Sequence, residues 1–275
     1  MTAHADLQID DYLNSIDVEA LSEEFRGAQP FPHFAIGSFL RTEFAEAVSN
    51  AYPDYQEART LGKEFGALNE RLKVQITDID RMPDPVARLS AILSSQPFLD
   101  RLSAITGIPN LLADPELRGG GMHLVGSGGR LDVHVDFNIQ RETQWFRRLN
   151  ILVFLNPHWE RSWGGCLELW DSEVSRCERE QLPLLNNCLV FETSETSFHG
   201  VAPVTCPDGV ARQSFAAYYY TAEAPPAWSG EYHTTIFKPR PGEWLRNTVG
   251  RPAERLRRMM RQGGNRLRRL AGGDA

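Results

Sequence analysis

Three residues in the second half of the chain could together hold a divalent metal. The segment Leu131-Asp132-Val133-His134-Val135-Asp136-Phe137 alternates apolar and polar types. In a strand this puts Leu131, Val133, Val135 and Phe137 on one face and Asp132, His134 and Asp136 on the other. A neutral imidazole beside a carboxylate offers two ligands to a divalent ion, and a third would complete one face of an octahedron. His199, in Ser197-Phe198-His199-Gly200-Val201, is the candidate third ligand. Further on, Arg212-Gln213-Ser214 would set a guanidinium and a hydroxyl on one strand face, a pair that can grip a carboxylate. Each piece alone has a plain alternative: a His-x-Asp pair can cap a strand edge, and an Arg near a strand start usually makes a surface ion pair. The ordered set within one unit is much harder to reach by accident.

These residues need a scaffold, and the texture of the chain predicts one. From about Gly119 onward, short alternating or apolar segments are separated by Gly, Pro, Asn and Asp. They predict strands at His123 to Val125, Leu131 to Phe137, Leu149 to Leu155, Cys166 to Trp170, Cys188 to Phe191, His199 to Val204 and Ser214 to Thr221, enough to close a sandwich or barrel. Ahead of them, Phe31-Pro32-His33-Phe34-Ala35-Ile36 predicts a short edge strand. Leu40, Phe44, Val48 and Tyr52 recur at the spacing of one helical face, and Pro53 stops that helix. A second helical stretch runs from Asp84 to Thr106, divided at Pro97 and ended by Gly107 and Pro109. The organisation expected is a polar segment over 1–30, a strand and helical buttress over 31–118, a β core over 119–225, an extension over 226–250 and a basic tail over 251–275.

Other chemistry-bearing residues have quieter readings. His33 sits in the apolar opening strand and is expected to be structural, while His158 and His233 lie in loops and are expected to pack or face solvent. Trp159, Trp163 and Trp170 around the Gly164-Gly165 turn are expected to fill the core. Tyr218-Tyr219-Tyr220 alternates faces, so one ring at least should be buried and one outward. The stretch from Asn138 to Arg147, with Trp145 and Phe146, is either a substrate wall beside the metal ligands or a connecting loop with an aromatic anchor.

Composition narrows the class. A chain of 275 residues with 41% hydrophobic and 10% aromatic content can bury a sizeable core, which argues against disorder. The net charge of −7 conceals an asymmetry: Arg251 to Leu270 carries +7, so the remainder carries −14. The tail could meet an acidic partner, a membrane surface or RNA, or simply be solvated, since Gly263-Gly264 interrupts its helical pattern. Cys166, Cys177, Cys188 and Cys206 show no metal-site spacing, which suggests a reducing cytoplasm and no structural zinc. No run of about 18 apolar residues predicts a membrane span, and the N-terminus lacks the pattern of a signal peptide.

On these residues the sequence resembles the iron(II)- and 2-oxoglutarate-dependent oxygenases, in particular their prolyl-4-hydroxylase-like branch. The resemblance is carried by His134-x-Asp136, by Arg148-Leu149-Asn150-Ile151-Leu152-Val153-Phe154-Leu155-Asn156, by Gly164-Gly165-Cys166-Leu167-Glu168-Leu169, by Phe198-His199-Gly200-Val201-x-Pro203-Val204 and by Arg212-x-Ser214. It spans about residues 119–222. It implies an α+β fold whose core is a double-stranded β-helix, or jelly roll, buttressed by N-terminal helices. It also implies Fe(II) held by His134, Asp136 and His199, with 2-oxoglutarate and O2 as co-substrates, Arg212 on the distal carboxylate, and ascorbate as a supporting reductant. The carboxylate of Asp136 points to hydroxylation, because halogenating relatives lack it. Substrates implied are a small molecule or a peptidyl side chain, prolyl among them. Two tyrosines common in relatives are replaced by Val125 and Phe154, leaving Ser214, Asn150 or His123 to steady the co-substrate. Relatives acting on nucleic acid usually carry an Arg where Tyr218 stands, which argues against that substrate. The rival from another class is a non-catalytic metal-binding jelly roll, a sensor or scaffold, which predicts a pocket too closed for a 2-oxo acid.

Overall fold

The computed structural model of the protein describes residues 8–243, so the basic tail over 251–275 lies outside the described residues. In chain order the elements are α1 (Val18–Gly27), β1 (His33–Ile36), α2 (Thr42–Asn50), α3 (Tyr55–Leu61), β2 (Lys63–Gly66), β3 (Glu70–Ile76), α4 (Asp84–Leu93) and α5 (Gln96–Thr106). The strands β4 (Leu112–Ala113), β5 (Gly121–Val135), β6 (Phe146–Phe154), β7 (Leu167–Trp170), β8 (Cys177–Gln181), β9 (Cys188–Glu192), β10 (His199–Val201), β11 (Ala211–Thr221) and β12 (Ile236–Phe237) follow. The result is the α+β jelly-roll arrangement expected, with helices against a curled sheet whose main strand order is β1-β9-β6-β11-β5-β10-β7-β8.

The helix ends are set by local chemistry. Asp17 caps α1 by accepting from the Ala20 amide at 3.0 Å, and Asp54 caps α3 by accepting from the Glu57 amide at 2.8 Å. Pro97 sits in the first turn of α5, so the predicted long helix is two helices parted at Ser94-Ser95. Gly107 ends α5 in the left-handed region, φ +72°.

A period of two divides the central strands between helices and cavity. Met122 and Leu124 of β5, Leu149, Ile151 and Val153 of β6, and Phe215, Ala217 and Tyr219 of β11 belong to one buried cluster with the apolar faces of the helices. Burying an aliphatic or aromatic side chain of this size favours folding by about 1.5–3 kcal/mol, so this layer holds the buttress in place. The alternate residues His123 and Val125, Asn150 and Leu152, and Arg212, Ser214, Ala216 and Tyr218 line a cavity on the opposite face. The hydroxyl of Tyr52, past the end of α2, donates to the Ser214 carbonyl at 2.9 Å and ties the buttress to the strand that carries Arg212.

Several elements depart from the sequence expectations. The two strands predicted on either side of the Gly126-Ser127-Gly128-Gly129 stretch are one continuous strand, β5, whose first part pairs with β11 and whose last part pairs with β10. A Cβ at Gly129 would come 2.5 Å from Val125 Cγ1 and 2.7 Å from the Gly126 carbonyl, so the bend needs glycine there. Helices α1 and α3 and strands β2, β3, β4, β8 and β12 were not anticipated. Residues 8–30 are more than a polar segment: Ile9, Leu13 and Phe25 are buried in the main core. Extension residues 236–237 form β12, which pairs with β5 opposite Val135 and His134. The four cysteines are free thiols. No helix among the described residues is long and apolar enough to cross a membrane.

Candidate metal and co-substrate site

The structure brings His134, near the end of β5, Asp136, just beyond it, and His199, first residue of β10, into one cluster. His134 and His199 are cross-strand partners, with ring centroids 4.3 Å apart. One potential ligand atom from each of the three residues lies within 4.8 Å of the others. The strict alternation predicted for 131–137 does not hold. Val201 faces Leu131 and His199 faces His134, two steps on β10 against three on β5, so a bulge interrupts the register. Leu131, His134 and Asp136 line the cavity as a result. Asp132 instead joins Arg130 at 2.6 Å and Arg240 of the extension at 3.7 Å.

Each imidazole is oriented by its own backbone. His134 Nδ1 lies 2.8 Å from the Asp132 carbonyl and His199 Nδ1 lies 3.0 Å from the Ser197 carbonyl. An Nδ1–H donated to each carbonyl leaves Nε2 as the lone-pair atom, and both Nε2 atoms face Asp136 at 3.5 and 3.4 Å. Burial, followed by the neighbouring His134, lowers the His199 pKa and so favours the neutral ligand form. For Asp136, burial opposes ionisation, but Arg147 and the two histidines outweigh it and hold the carboxyl well below its usual range. Two imidazole nitrogens and a carboxylate oxygen, converging, are a donor set that fits a divalent transition metal.

At the other end of the cavity stands Arg212, 2% exposed. Its Nε donates to the Gly165 carbonyl at 2.7 Å and its Nη1 donates to Ser214 Oγ at 3.2 Å. Nη2 is buried without a partner, and of the few such side-chain atoms among the described residues it is the one that belongs to a cavity-lining residue. Burial lowers the guanidinium pKa to about 10, which still leaves it cationic at neutral pH. A buried cation with a spare donor fits a carboxylate. The Gly164-Gly165 turn makes this possible. Gly165 has φ +68°, and a Cβ there would come 3.2 Å from Arg212 Cδ and 3.1 Å from the Trp159 ring.

The cavity joining these ends has a volume of about 320 Å³, within the range of small-molecule sites and large enough for a 2-oxo acid. This removes the reading of a jelly roll too closed to take one. Val125 is buried beside Arg212 in the next strand, and Phe154 lies under the guanidinium, 5.3 Å from Cζ to the ring centre. Neither position supplies a hydroxyl to the cavity. His123 lies across from Ser214. Burial, then Lys73, lowers its pKa well below the usual value, so the ring is neutral. Asn150 also lines the cavity, with its amide engaged by Asp136 and Arg147.

Some lining residues were not foreseen. Lys73 and Gln75 of β3 continue the rows Val125–Arg212 and His123–Ser214 across β5. Their signal was the polar alternation in Glu70-Arg71-Leu72-Lys73-Val74-Gln75-Ile76, although a shift in register between Arg71 and Lys73 breaks its phase. Arg147 and Tyr218 are also wall residues. Phe237 of β12 lies 5.4 Å from the His134 ring, a contact that needs the extension to return to β5.

The quieter residues behave as expected. His33 is buried against the Phe31 carbonyl and Arg179, and His158 is exposed beside Glu160. Trp159 and Trp163 meet edge to face at 5.4 Å. Tyr219 is buried among the helices and donates to the Leu93 carbonyl, while Tyr218 is half-buried, lines the cavity and donates its hydroxyl to the Gly119 carbonyl at 2.8 Å.

Comparisons with known proteins agree with this geometry. Residues 120–220 match the profile of the 2OG-Fe(II) oxygenase superfamily. Among curated proteins, the mouse "Prolyl 3-hydroxylase OGFOD1" is 31% identical over 78 residues, covering 27% of this chain and 14% of that protein. The Xenopus laevis protein of the same name is 31% identical over 86 residues, covering 29% and 17%. The matched stretch thus spans less than a fifth of either relative. A prolyl hydroxylase from Trichoplax adhaerens, solved with a hypoxia-inducible-factor peptide fragment, superposes with TM-score 0.52 at 19% identity, covering 74% of this chain and 90% of that one. A Pseudomonas putida prolyl-4-hydroxylase superposes with TM-score 0.50 at 17% identity, covering 73% and 98%. These two share the fold. The region over 120–220, with the metal triad in place, is that of a 2OG-Fe(II) oxygenase superfamily domain. Its fold and donor set fit Fe(II)- and 2-oxoglutarate-dependent chemistry.

Proposed function

We propose that the protein hydroxylates an unactivated C–H of a peptidyl side chain, with prolyl the first candidate, while 2-oxoglutarate is decarboxylated to succinate and CO2. His134, Asp136 and His199 hold the iron. Arg212 takes the distal carboxylate of 2-oxoglutarate through Nη2, with Ser214 fixing the angle of the guanidinium. The observation that carries the proposal is the partnerless buried nitrogen of Arg212 facing the same cavity as three convergent metal ligands. Bound iron supplies the site where O2 and the 2-oxo acid react to give the oxidant that attacks the C–H bond. The chain's part is to orient both imidazoles through the Asp132 and Ser197 carbonyls, to neutralise the co-substrate locally and to wall the reacting atoms from water.

Two observations support a peptidyl substrate. Phe137, one residue past Asp136, also lines two further recesses, of about 140 and 430 Å³, that flank the metal cavity. An extended chain lying across Phe137 could use both, whereas a small molecule needs neither. The relatives named above are prolyl hydroxylases, one of them solved with a peptide. The stretch from Asn138 to Arg147 is then a substrate wall: Asn138, Phe146 and Arg147 line the smaller recess together with Trp228. Ascorbate as a supporting reductant and a cytoplasmic setting, which the free thiols favour, belong to the same proposal.

The test incubates the iron-loaded protein with 2-oxoglutarate, O2, ascorbate and a proline-containing peptide library, reading succinate and one-oxygen mass gains together. Peptide oxidation in step with succinate supports the proposal. Succinate with metabolite mixtures alone turns the reading to a small-molecule hydroxylase. Absence of both, with metal bound, refutes it.

A further inference from the structure

Asp136 is held from behind by a closed set of donors that the metal chemistry alone does not require. Arg147, the second residue of β6, is buried, and its Nη2 lies 2.9 Å from Asp136 Oδ2. Asn150 Nδ2 donates to the same Oδ2 at 2.8 Å. Arg147 Nε and Nη2 donate in turn to Asn150 Oδ1 at 3.0 and 2.8 Å, so the guanidinium, amide and carboxylate form a triangle. The guanidinium is seated on the Tyr218 ring, 3.6 Å from Cζ to its centre, with Phe137 on another side at 4.9 Å. Both aromatic faces attract the cation and fix its plane.

A carboxylate oxygen offers two lone-pair directions. Asn150 Nδ2–H takes one of those of Oδ2, and the Arg147 cation, ion-paired to the same oxygen at 2.9 Å, opposes a second cation there, so Oδ1 is the oxygen better placed to give a lone pair to a metal. Resting on the metal and co-substrate reading above, we infer that Arg147 and Asn150 are positioning residues that confine Asp136 to one-oxygen ligation. That keeps open a coordination position which 2-oxoglutarate or O2 needs. Without the clamp, nothing holds Oδ2 back. The carboxylate could then chelate through both oxygens, strengthening its own hold on the metal at the expense of the co-substrate.

The inference therefore predicts effects of opposite sign. In Arg147→Gln, Co(II) should bind as tightly as in the parent or tighter. The affinity of the Co(II)-loaded protein for 2-oxoglutarate should fall by about 10- to 100-fold, the usual size of an outer-shell effect. The ligand-field absorption of Co(II) without 2-oxoglutarate should shift, reporting the changed coordination. Arg147→Lys, able to reach Asp136 but not to fork, should fall between the two. Arg148→Gln is the control, because the neighbouring guanidinium turns to Glu192 and Thr221 and should leave both affinities alone. A merely structural role would weaken metal and co-substrate together and leave the Lys variant no better than Gln, and either that or two unchanged affinities would overturn the inference. Should Arg147→Gln not fold, Asn150→Ala, which frees one lone pair of Oδ2, must show the same split in milder form. His199→Ala run alongside separates the outcomes: if it loses Co(II) while Arg147→Gln shows no split, the site reading stands and the clamp alone fails.

Discussion

At the metal end of the cavity the protein's polar groups answer one another. Both Nδ1 atoms meet backbone carbonyls, both Nε2 atoms face Asp136, and Asp136 Oδ2 meets Arg147 and Asn150. At the opposite end Arg212 is held by one carbonyl and one hydroxyl, and its remaining nitrogen is buried without a protein partner. The difference teaches how one cavity serves two ligands. The metal end is oriented in advance, with lone pairs converging on a point. The Arg212 end keeps part of its binding capacity unspent, which is what recognition of a diffusing dianion requires.

If the two ends are separate devices, variants should separate them. The largest effect is expected for His199→Ala, which removes one of three ligands: metal binding and succinate formation should both be lost, as read by Co(II) titration and by turnover. Next comes Arg212→Met, where truncating one partner of a buried charge pair costs about 2–5 kcal/mol of 2-oxoglutarate affinity. Its Co(II) affinity should match the parent by calorimetry, and equal losses at both ends would break the comparison. Gly165→Ala acts on Arg212 indirectly. The positive φ and the crowding of Trp159 and Arg212 predict about 1–3 kcal/mol of lost stability in thermal melts, with weakened 2-oxoglutarate binding and intact metal binding. Ser214→Ala removes one hydrogen bond to the guanidinium and should cost about 1 kcal/mol of co-substrate affinity.

The smallest effect is a pH dependence whose sign follows from Arg212. Its pKa is lowered by burial to about 10. The cationic form that binds a carboxylate is thus complete at neutral pH and is lost as pH rises through that value. The 2-oxoglutarate affinity of the metal-loaded protein should stay flat from pH 7 to 9 and drop by about twofold at a pH equal to the pKa. A fall that begins near pH 7 would mean that some other group carries the anion.

Legibility differed along the chain for identifiable reasons. Helices α2, α4 and α5 announced themselves through Pro97, Gly107 and the Leu40-to-Tyr52 spacing, which are local signals, whereas α1 and α3 did not. The β core was legible where one face of each strand meets the helices, as in Leu149-Ile151-Val153 and Phe215-Ala217-Tyr219. Strand β3 passed unread because its polar face lines a cavity and a register shift breaks its alternation. Arg147 was hidden in plain view beside Arg148: nothing in an Arg-Arg pair says which turns inward. Asn150 was legible as a site residue, but its engagement with Asp136 and Arg147 depends on a strand pairing that periodicity does not specify.

By itself, the order of residue types determined which side chains could do chemistry: two histidines, a carboxylate and an arginine, set in strands of period two. That is local information, carried by side-chain chemistry and by the alternation that any strand imposes. Tertiary structure alone decided how they meet. The bulge between β5 and β10 turns Asp132 to Arg130 and Arg240 and leaves His134 and Asp136 beside His199. The pairing of β5 with β11 sets Arg212 beside Val125, and the return of the extension brings Phe237 to His134. Each of these depends on hydrogen-bond register between segments far apart in the chain, and register is fixed by the packing of whole faces, which no single segment encodes.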